Sequence, residues 1–377
     1  MKIIIIDPGL KNINGHNFAT NFSLAKELKK KGINVEILCH KNVDQSIIKY
    51  FFDAEIKIKN VFEISSYSGF PYQNRKNFFE SLKLTTQELN KYIESTSHAD
   101  IAIWPPCVFA LQLISNLTVK VAKVQFIFLE PAFSSFSNQT IQIYSSFRQK
   151  FIERKDINYL CVEERIKNYF VKFLPIDIEI CPFLTFSRFV ELKKNKLEKI
   201  GVFGFEKIIN EKFAISYLDL LKSFNILFDF HDPRKYFHIK KGFDNKLGDL
   251  RKKLNFEKFT FSNFKRDLNK KISEYDCILY FFNPLFYQLI PSGIVSESIA
   301  TGRPIILPRQ NSPADTVNYY NCGLFFEWND VKSLQSNIQY SIDNFKQLKK
   351  NSFNASNLWS RKQGIDNFLK FIFKKIK

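Results

Sequence analysis

Short apolar runs alternate with helical segments along the whole chain, and the alternation restarts about halfway. Residues 3–6 (IIII) are typical of a strand covered on both faces, because no polar residue interrupts them. A turn-rich loop at residues 7–15 follows, then apolar residues at helical spacing, and then a second strand at residues 35–39. Strands separated by helices in this way predict a parallel sheet with right-handed crossovers.

A charged run at residues 191–199 separates two such halves. The second half also opens with a strand, residues 200–203, followed by Gly204, a loop and a helix at residues 213–223. A chain of 377 residues exceeds the range of about 250–300 residues that one hydrophobic core usually supports. We therefore predict an α/β protein with two doubly wound, Rossmann-like domains facing across a cleft, residues 1–185 and 197–358.

The net charge of +19 comes mainly from lysine, since 45 of the 56 basic residues are Lys and 11 are Arg. Recognition of nucleic-acid phosphates and bases favours arginine, whose planar guanidinium binds bidentately. The surplus therefore favours an acidic small ligand or an anionic membrane surface, although a general compositional bias towards Lys would produce it as well. We expect no nucleic-acid partner.

Six cysteines without a C-x-x-C spacing predict neither a disulfide framework nor a zinc site, which fits a reducing compartment. The start of the chain, MKIIIID, has too few apolar residues for a signal peptide, and the longest apolar stretch, residues 277–290, is interrupted by polar residues and a proline. We expect a cytoplasmic protein, soluble or peripheral at the inner face of the membrane. Residues 359–377 form a basic amphipathic stretch that predicts a last helix, packed on the protein or lying on a membrane surface.

The segment 287–308 (YQLIPSGIVSESIATGRPIILP) carries the clearest chemical signal. Ser292 and Gly293 predict the start of a helix that ends at Gly302, before a strand at residues 305–307. Backbone N–H groups at such a helix start suit a phosphate, because the helix dipole is positive there. Glu297, one turn further, is placed to accept hydrogen bonds from a ribose diol. The alternative is an ordinary capped helix with a solvent-facing glutamate.

This segment, with Asp315 and residues 322–325 after it, resembles the C-terminal domain of retaining GT-B glycosyltransferases of the family-4 type, also called glycosyl transferases group 1. Members typically carry two glutamates in an E-x7-E motif. Glu297 matches the second glutamate, and Leu289 stands in place of the first, as in a subset with a Ser-Gly turn here. The resemblance implies that the donor is bound by Ser292, Gly293, Ile294 and Glu297.

A basic pair supports the resemblance. Family members direct an Arg and a Lys, five residues apart, at the donor diphosphate after the first strand of this domain. Lys207 and Lys212 hold these positions, so the pair keeps its charge but lacks the bidentate arginine fork. Phe213 replaces the glycine that usually follows the second basic residue.

In the N-terminal half, the loop with Asn14, Gly15 and His16 occupies the place of the family's glycine-bearing loop, which approaches donor phosphates and acceptor. The resemblance implies donor binding at Gly15. His16 either donates a hydrogen bond to an acceptor or phosphate oxygen or caps the helix. Glu130, after a strand at residues 124–129, either contacts the acceptor or is an ordinary loop carboxylate. The aromatic and basic segment 67–79 is a further candidate for acceptor contact.

Cofactors and metals have no support in the sequence. A G-x-G-x-x-G fingerprint is absent, which disfavours NAD. The histidines show no metal-ligand spacing and no Asp-x-Asp motif occurs, so we expect neither a cofactor nor a metal ion.

The resemblance predicts a hexosyltransferase-like glycosyltransferase of bacterial surface polysaccharide synthesis, metal-independent and retaining. It would move a sugar from a UDP-, GDP- or similar nucleotide-sugar donor to a glycan or lipid-linked acceptor, with catalytic roles for Lys207, Lys212, His16 and Glu130. It also implies that the last helix packs back on the N-terminal domain. The alternatives are a GT-B-fold scaffolding subunit without catalysis and a nucleotide-sugar epimerase. Replacing both Glu297 and Lys212 by Ala is predicted to abolish transfer and leave folding intact.

Overall fold

The computed structural model describes residues 1–12, 16–65, 75–96, 98–108, 110–131, 137–205, 208, 211–231, 259–262, 268–284 and 287–376. The chain divides into two compact units. Unit 1 comprises Met1–Leu184 and Ile365–Lys377, and unit 2 comprises Thr185–Gly364. The chain therefore passes between the units twice, after Leu184 and after Gly364.

Unit 1 alternates strands and helices from its first residues onward. Its elements up to residue 184 are β1 (Lys2–Asp7), α1 (His16–Lys30), β2 (Asn34–His40), α2 (Gln45–Asp53), β3 (Lys57–Phe62), α3 (Arg75–Glu94), β4 (Ala99–Val108), α4 (Ala110–Thr118), β5 (Ala122–Leu129), α5 (Ser137–Ser146), α6 (Arg148–Glu153), β6 (Ile157–Cys161), α7 (Glu164–Phe170) and β7 (Ile178–Ile180).

The seven strands of unit 1 form one parallel sheet in the order β3-β2-β1-β4-β5-β6-β7. Residues 3–6 of β1 are at most 1% exposed, as the uninterrupted apolar run predicted. The strand order reverses direction between β1 and β4, and ligands of doubly wound sheets bind at the carboxyl edge of such a point.

Unit 2 repeats the alternation. Its elements are β8 (Lys199–Phe203), α8 (Glu211–Ser223), β9 (Leu227–His231), β10 (Phe259–Ser262), α9 (Leu268–Ser273), β11 (Cys277–Tyr280), α10 (Gly293–Thr301), β12 (Ile305–Pro308), α11 (Ser312–Tyr320), β13 (Gly323–Phe326), α12 (Val331–Asp343) and α13 (Phe345–Lys362). The sheet is parallel in the order β10-β9-β8-β11-β12-β13, and its order reverses between β8 and β11. The predicted pair of doubly wound α/β domains is confirmed.

The end of the chain forms two helices where the sequence predicted one over residues 359–377. Trp359 still belongs to α13, and α14 (Ile365–Lys374) begins after a break at Gly364. Gly364 has φ +86°, a left-handed conformation that favours glycine and ends α13.

Helix α14 belongs to unit 1 and buries its apolar face there. Phe368 is fully buried, and its ring lies 5.5 Å from that of Phe128 in β5. Lys375 forms an ion pair of 2.5 Å with Glu179 of β7. Within the described part of the chain, no helix is long and apolar enough to span a membrane.

The five cysteines whose side chains the structure describes act as small apolar side chains. Cys39, Cys161, Cys181, Cys277 and Cys322 are buried and form no disulfide. Burial raises the pKa of Cys322 to about 12, so this thiol stays protonated.

Candidate functional site

Two helices of unit 2 begin at the same edge of its sheet. β8 and β11 are neighbours, with Phe203 opposite Tyr280, and α8 and α10 follow their carboxyl ends. The segments that follow β8 and β11 leave the sheet very close together, since a Cβ on Gly204 would lie 2.2 Å from the carbonyl oxygen of Phe281. Only glycine fits there, and its φ of +73° also requires one. This is the edge where ligands of doubly wound sheets bind.

The start of α10 has a capping serine and open space beside its first amide, two features that suit the anion site predicted there from the sequence. Ser292 is its N-cap, and its Oγ accepts a hydrogen bond of 3.4 Å from the backbone N–H of Val295. A Cβ on Gly293 would meet no atom within 4 Å, so the space beside this amide is open. The first N–H groups of a helix lack partners within it and carry its positive dipole end. Ile294, the next residue, is partly exposed.

The lysine pair is described only in part. Lys212 is the second residue of α8 and is exposed at the same sheet edge. Lys207 lies outside the described residues. Lys212 is therefore the one residue of the pair that the structure describes, and its contact with a diphosphate stays a prediction.

Glu297 lies inside unit 2, with 8% of its surface exposed. Its Oε1 accepts a hydrogen bond from the backbone N–H of Phe186 at 3.2 Å, and its Oε2 accepts one from Ser187 at 3.0 Å. Burial raises the pKa of this carboxyl group, and the hydrogen bonds from Ser187 and Phe186 act in the opposite direction. The sequence predicted either a ribose ligand or a solvent-facing residue. The backbone partners were missed, and the ribose contact stays a prediction.

Segment 185–190, which we name the connector, is held by further contacts with α10 and with α13. The backbone N–H of Val190 donates to the carbonyl of Thr301 at 3.3 Å. Trp359 of α13 donates its indole N–H to Oγ1 of Thr185 at 3.0 Å. Gly302 ends α10 with φ +75°, and a Cβ there would lie 2.8 Å from the ring of Phe189. The connector is therefore a packed part of unit 2.

Arg303 also holds the connector, and the sequence analysis did not predict this role. Its guanidinium is 1% exposed and donates through Nη1 to the carbonyls of Val190 at 2.7 Å and Thr301 at 3.1 Å. Through Nη2 it donates to the carbonyl of Ser273 at 2.7 Å. Burial lowers the pKa of Arg303 to about 10. One side chain thus joins the connector to the ends of α9 and α10.

In unit 1, Asp7 ends β1 at the point where the strand order reverses. It is 4% exposed and accepts hydrogen bonds from the side-chain amides of Asn17 and Asn21. Burial and, to a smaller extent, the charge of Asp7 raise the pKa of neighbouring Cys39 to about 12. The sequence interpretation treated Asp7 only as the first residue of a loop.

A scan against protein-family models finds no match, and a search of curated proteins finds none either. Solved structures do match over nearly their whole length. A glycosyltransferase from Rickettsia africae has a TM-score of 0.65 at 15% identity, covering 100% of this chain and 97% of its own. HepE of Anabaena, in complex with UDP and glucose, has a TM-score of 0.69 at 11% identity, covering 100% and 99%. WaaG, a glycosyltransferase involved in lipopolysaccharide biosynthesis, has a TM-score of 0.62 at 14% identity, covering 98% of both.

The fold is GT-B. Its two sheets place the predicted residues in two sets, each at the carboxyl edge of one sheet. Glu130 directly follows β5 in unit 1 and is partly exposed. His16 is the first residue of α1, but its side chain lies outside the described part of the chain. The same holds for Asn14, Gly15 and residues 66–74.

The set in unit 2 of the GT-B fold is the better defined one. Ser292, Gly293 and Ile294 start α10 at the sheet edge where α8 with Lys212 also starts, and Glu297 of α10 accepts hydrogen bonds from the connector. Among the described residues, no three His, Cys, Asp or Glu side chains are grouped so that they can hold a metal ion. The arrangement can bind an anion through backbone amides and a lysine.

Proposed function

We propose that this protein is a metal-independent, retaining glycosyltransferase of the family-4 type that uses a nucleotide-sugar donor. The observation that carries the proposal is the open, Ser292-capped start of α10, at the sheet edge where α8, which bears Lys212, also starts. In a GT-B fold this is a place for a diphosphate. The Anabaena protein HepE shares the fold and was crystallised with UDP and glucose, which supports a donor of this class.

The residues at this edge suit a reaction in which a nucleoside diphosphate leaves. As the bond from the sugar to the diphosphate breaks, negative charge grows on the leaving oxygen. The N–H groups of Gly293 and Ile294, the dipole of α10 and the ammonium group of Lys212 stabilise that charge. Lys207 would add a second positive charge. Such electrostatic catalysis requires no metal ion.

For the acceptor we propose a glycan or a lipid-linked glycan of a bacterial surface polysaccharide, entering from unit 1 near His16 and Glu130. WaaG, which shares the fold, takes part in lipopolysaccharide biosynthesis. The net charge of +19 favours a position at the inner face of an anionic membrane, where lipid-linked acceptors lie.

A donor screen tests the proposal. Common nucleotide sugars are incubated with the protein, and mass spectrometry scores release of the nucleoside diphosphate with and without extracted lipid-linked glycans. In parallel, UDP, GDP and CMP are tested for thermal stabilisation. We expect one nucleotide to raise the melting temperature and its sugar conjugate to be consumed.

Two variants sharpen the test. Lys212→Ala is expected to weaken binding of that nucleotide about tenfold, because one charge-assisted contact is lost. Lys350→Ala removes the same charge from an exposed position of α13 and is expected to change nothing. Absence of both stabilisation and turnover would favour the scaffolding alternative, and conversion of the donor to its epimer would favour the epimerase.

A further inference from the structure

The carboxylate of Asp7 holds both ends of the loop between β1 and α1. On the strand side, the backbone N–H of Gly9 donates to its Oδ1 at 2.7 Å. On the helix side, the amide of Asn17 donates to Oδ1 at 3.1 Å and to Oδ2 at 2.9 Å, and the amide of Asn21 donates to Oδ2 at 2.5 Å. A single side chain therefore spans the loop.

These hydrogen bonds are shielded from water. Asp7 is 4% exposed, Asn17 is 8% exposed and Asn21 is fully buried. Asn17 and Asn21 lie one helical turn apart, so both amides face the end of β1 from the same side of α1. A carboxylate suits this position because it only accepts hydrogen bonds and has room for several donors, whereas an amide has a single acceptor oxygen.

We propose that Asp7 is a positioning residue of the transfer reaction: it joins Gly9, after β1, to the first turns of α1, on the two sides of the stretch in which Gly15 and His16 are predicted to face donor phosphate and acceptor. The proposal rests on the proposed function for the role of the loop. The geometry itself rests on Gly9, Asn17 and Asn21, which lie on either side of it. Asp7 acts through these contacts.

The decisive variant is Asp7→Asn, which keeps the size of the side chain but turns an amide N–H towards donors. Asn21→Asp alone places two carboxylates together. The double variant exchanges the two groups, so that an amide on β1 donates to a carboxylate on α1. Asp44→Asn is the matched control, because Asp44 follows β2, is exposed and makes no side-chain hydrogen bond as the N-cap of α2.

The first measurement is amide hydrogen exchange in peptides covering residues 8–21, which requires no activity. We expect Asp7→Asn to accelerate exchange there about tenfold or more, and the double variant to restore much of the protection. Asp44→Asn should behave as wild type. Unchanged exchange in Asp7→Asn overturns the proposal, whether or not the wild type transfers sugar.

The second measurement is steady-state transfer with the donor found in the screen. We expect Asp7→Asn to lower kcat about tenfold or more and to weaken binding of the nucleoside diphosphate as well, because Gly15 is predicted to face the donor phosphate, and the double variant to recover both. Unfolding curves of all variants give the folded fraction at the assay temperature. A kcat loss that only follows the folded fraction, or a double variant that regains stability without kcat, overturns the positioning role. A wild-type protein without any turnover contradicts the proposed function instead. The hydrogen-exchange experiment then still tests whether Asp7 holds the segment of residues 8–21.

Discussion

Oε2 of Glu297 accepts a hydrogen bond of 3.0 Å from the backbone N–H of Ser187, across 110 residues of sequence. The neighbouring Phe186 donates to the other carboxylate oxygen, so both oxygens have backbone partners in the connector. This changes what a substitution at Glu297 reports. The sequence predicted that Glu297→Ala together with Lys212→Ala leaves folding intact, but removing the carboxylate leaves two half-buried backbone N–H groups, those of Phe186 and Ser187, without this acceptor. Loss of activity in that double variant would therefore mix structural and binding effects.

We expect Glu297→Gln to lower the free energy of unfolding by about 1–3 kcal/mol, because its amide group faces a backbone N–H that then lacks an acceptor. Urea unfolding near pH 4.5, where the contribution of this group is largest, measures the difference. Glu191→Gln is the matched control, since Glu191 is exposed at the end of the connector region. Equal stability of the two variants would contradict the role of Glu297 in holding the connector.

The same carboxyl group should make stability depend on pH. Burial raises the pKa of Glu297 above its ordinary value of 4.5, so the folded state holds this proton more tightly than the unfolded state does. Its contribution is therefore full below pH 4.5 and is lost as the pH rises through the folded-state pKa. The stability advantage of wild type over Glu297→Gln should shrink as the pH is raised from 4.5. An advantage that grows with pH would show that the hydrogen bonds outweigh burial.

Arg303→Met should be among the most damaging substitutions outside the sheets. It removes the side-chain donor from the carbonyls of Val190 and Ser273, at a cost of about 1–3 kcal/mol each, while the carbonyl of Thr301 keeps the N–H of Val190. Arg309→Met is the control, because the side chain of Arg309 is 56% exposed and pairs with the exposed Glu327. That ion pair should contribute at most about 1 kcal/mol. Urea unfolding of both variants measures the contrast, and similar losses would mean that Arg303 does not support the connector.

Gly302→Ala tests the contact between the end of α10 and Phe189. Alanine is strained by the left-handed φ at this position, and its methyl group would also lie 2.8 Å from the ring of Phe189. Gly32→Ala provides the same backbone strain without a contact, since φ is +73° and nothing lies within 4 Å. We expect Gly32→Ala to cost about 1–2 kcal/mol and Gly302→Ala to cost more. Adding Phe189→Ala should reduce the excess at Gly302 only, as measured by thermal unfolding.

The sequence predicted local features well and distant contacts poorly. The buried strand at residues 3–6, the cap at Ser292 and the helix end at Gly302 depend on neighbouring residues, and the structure confirms each of them. Both partners of Glu297 and one partner of Arg303 lie more than a hundred residues away in segment 186–190, which the predicted domain bounds leave between the two domains. The prediction of one helix over residues 359–377 did not include the break at Gly364. A glycine inside an amphipathic pattern is compatible with a continuous helix, and its φ cannot be read from the pattern.

Gly293→Ala separates donor binding from stability. A methyl group there meets no atom within 4 Å and improves helix propensity, so the free energy of unfolding should stay constant or rise by up to about 1 kcal/mol. The methyl group nevertheless occupies the open space beside the amides that we propose bind the diphosphate. We expect the affinity for the nucleotide found in the screen to fall about tenfold or more, measured by calorimetric titration. Wild-type affinity in a fully folded Gly293→Ala variant would place the diphosphate away from α10.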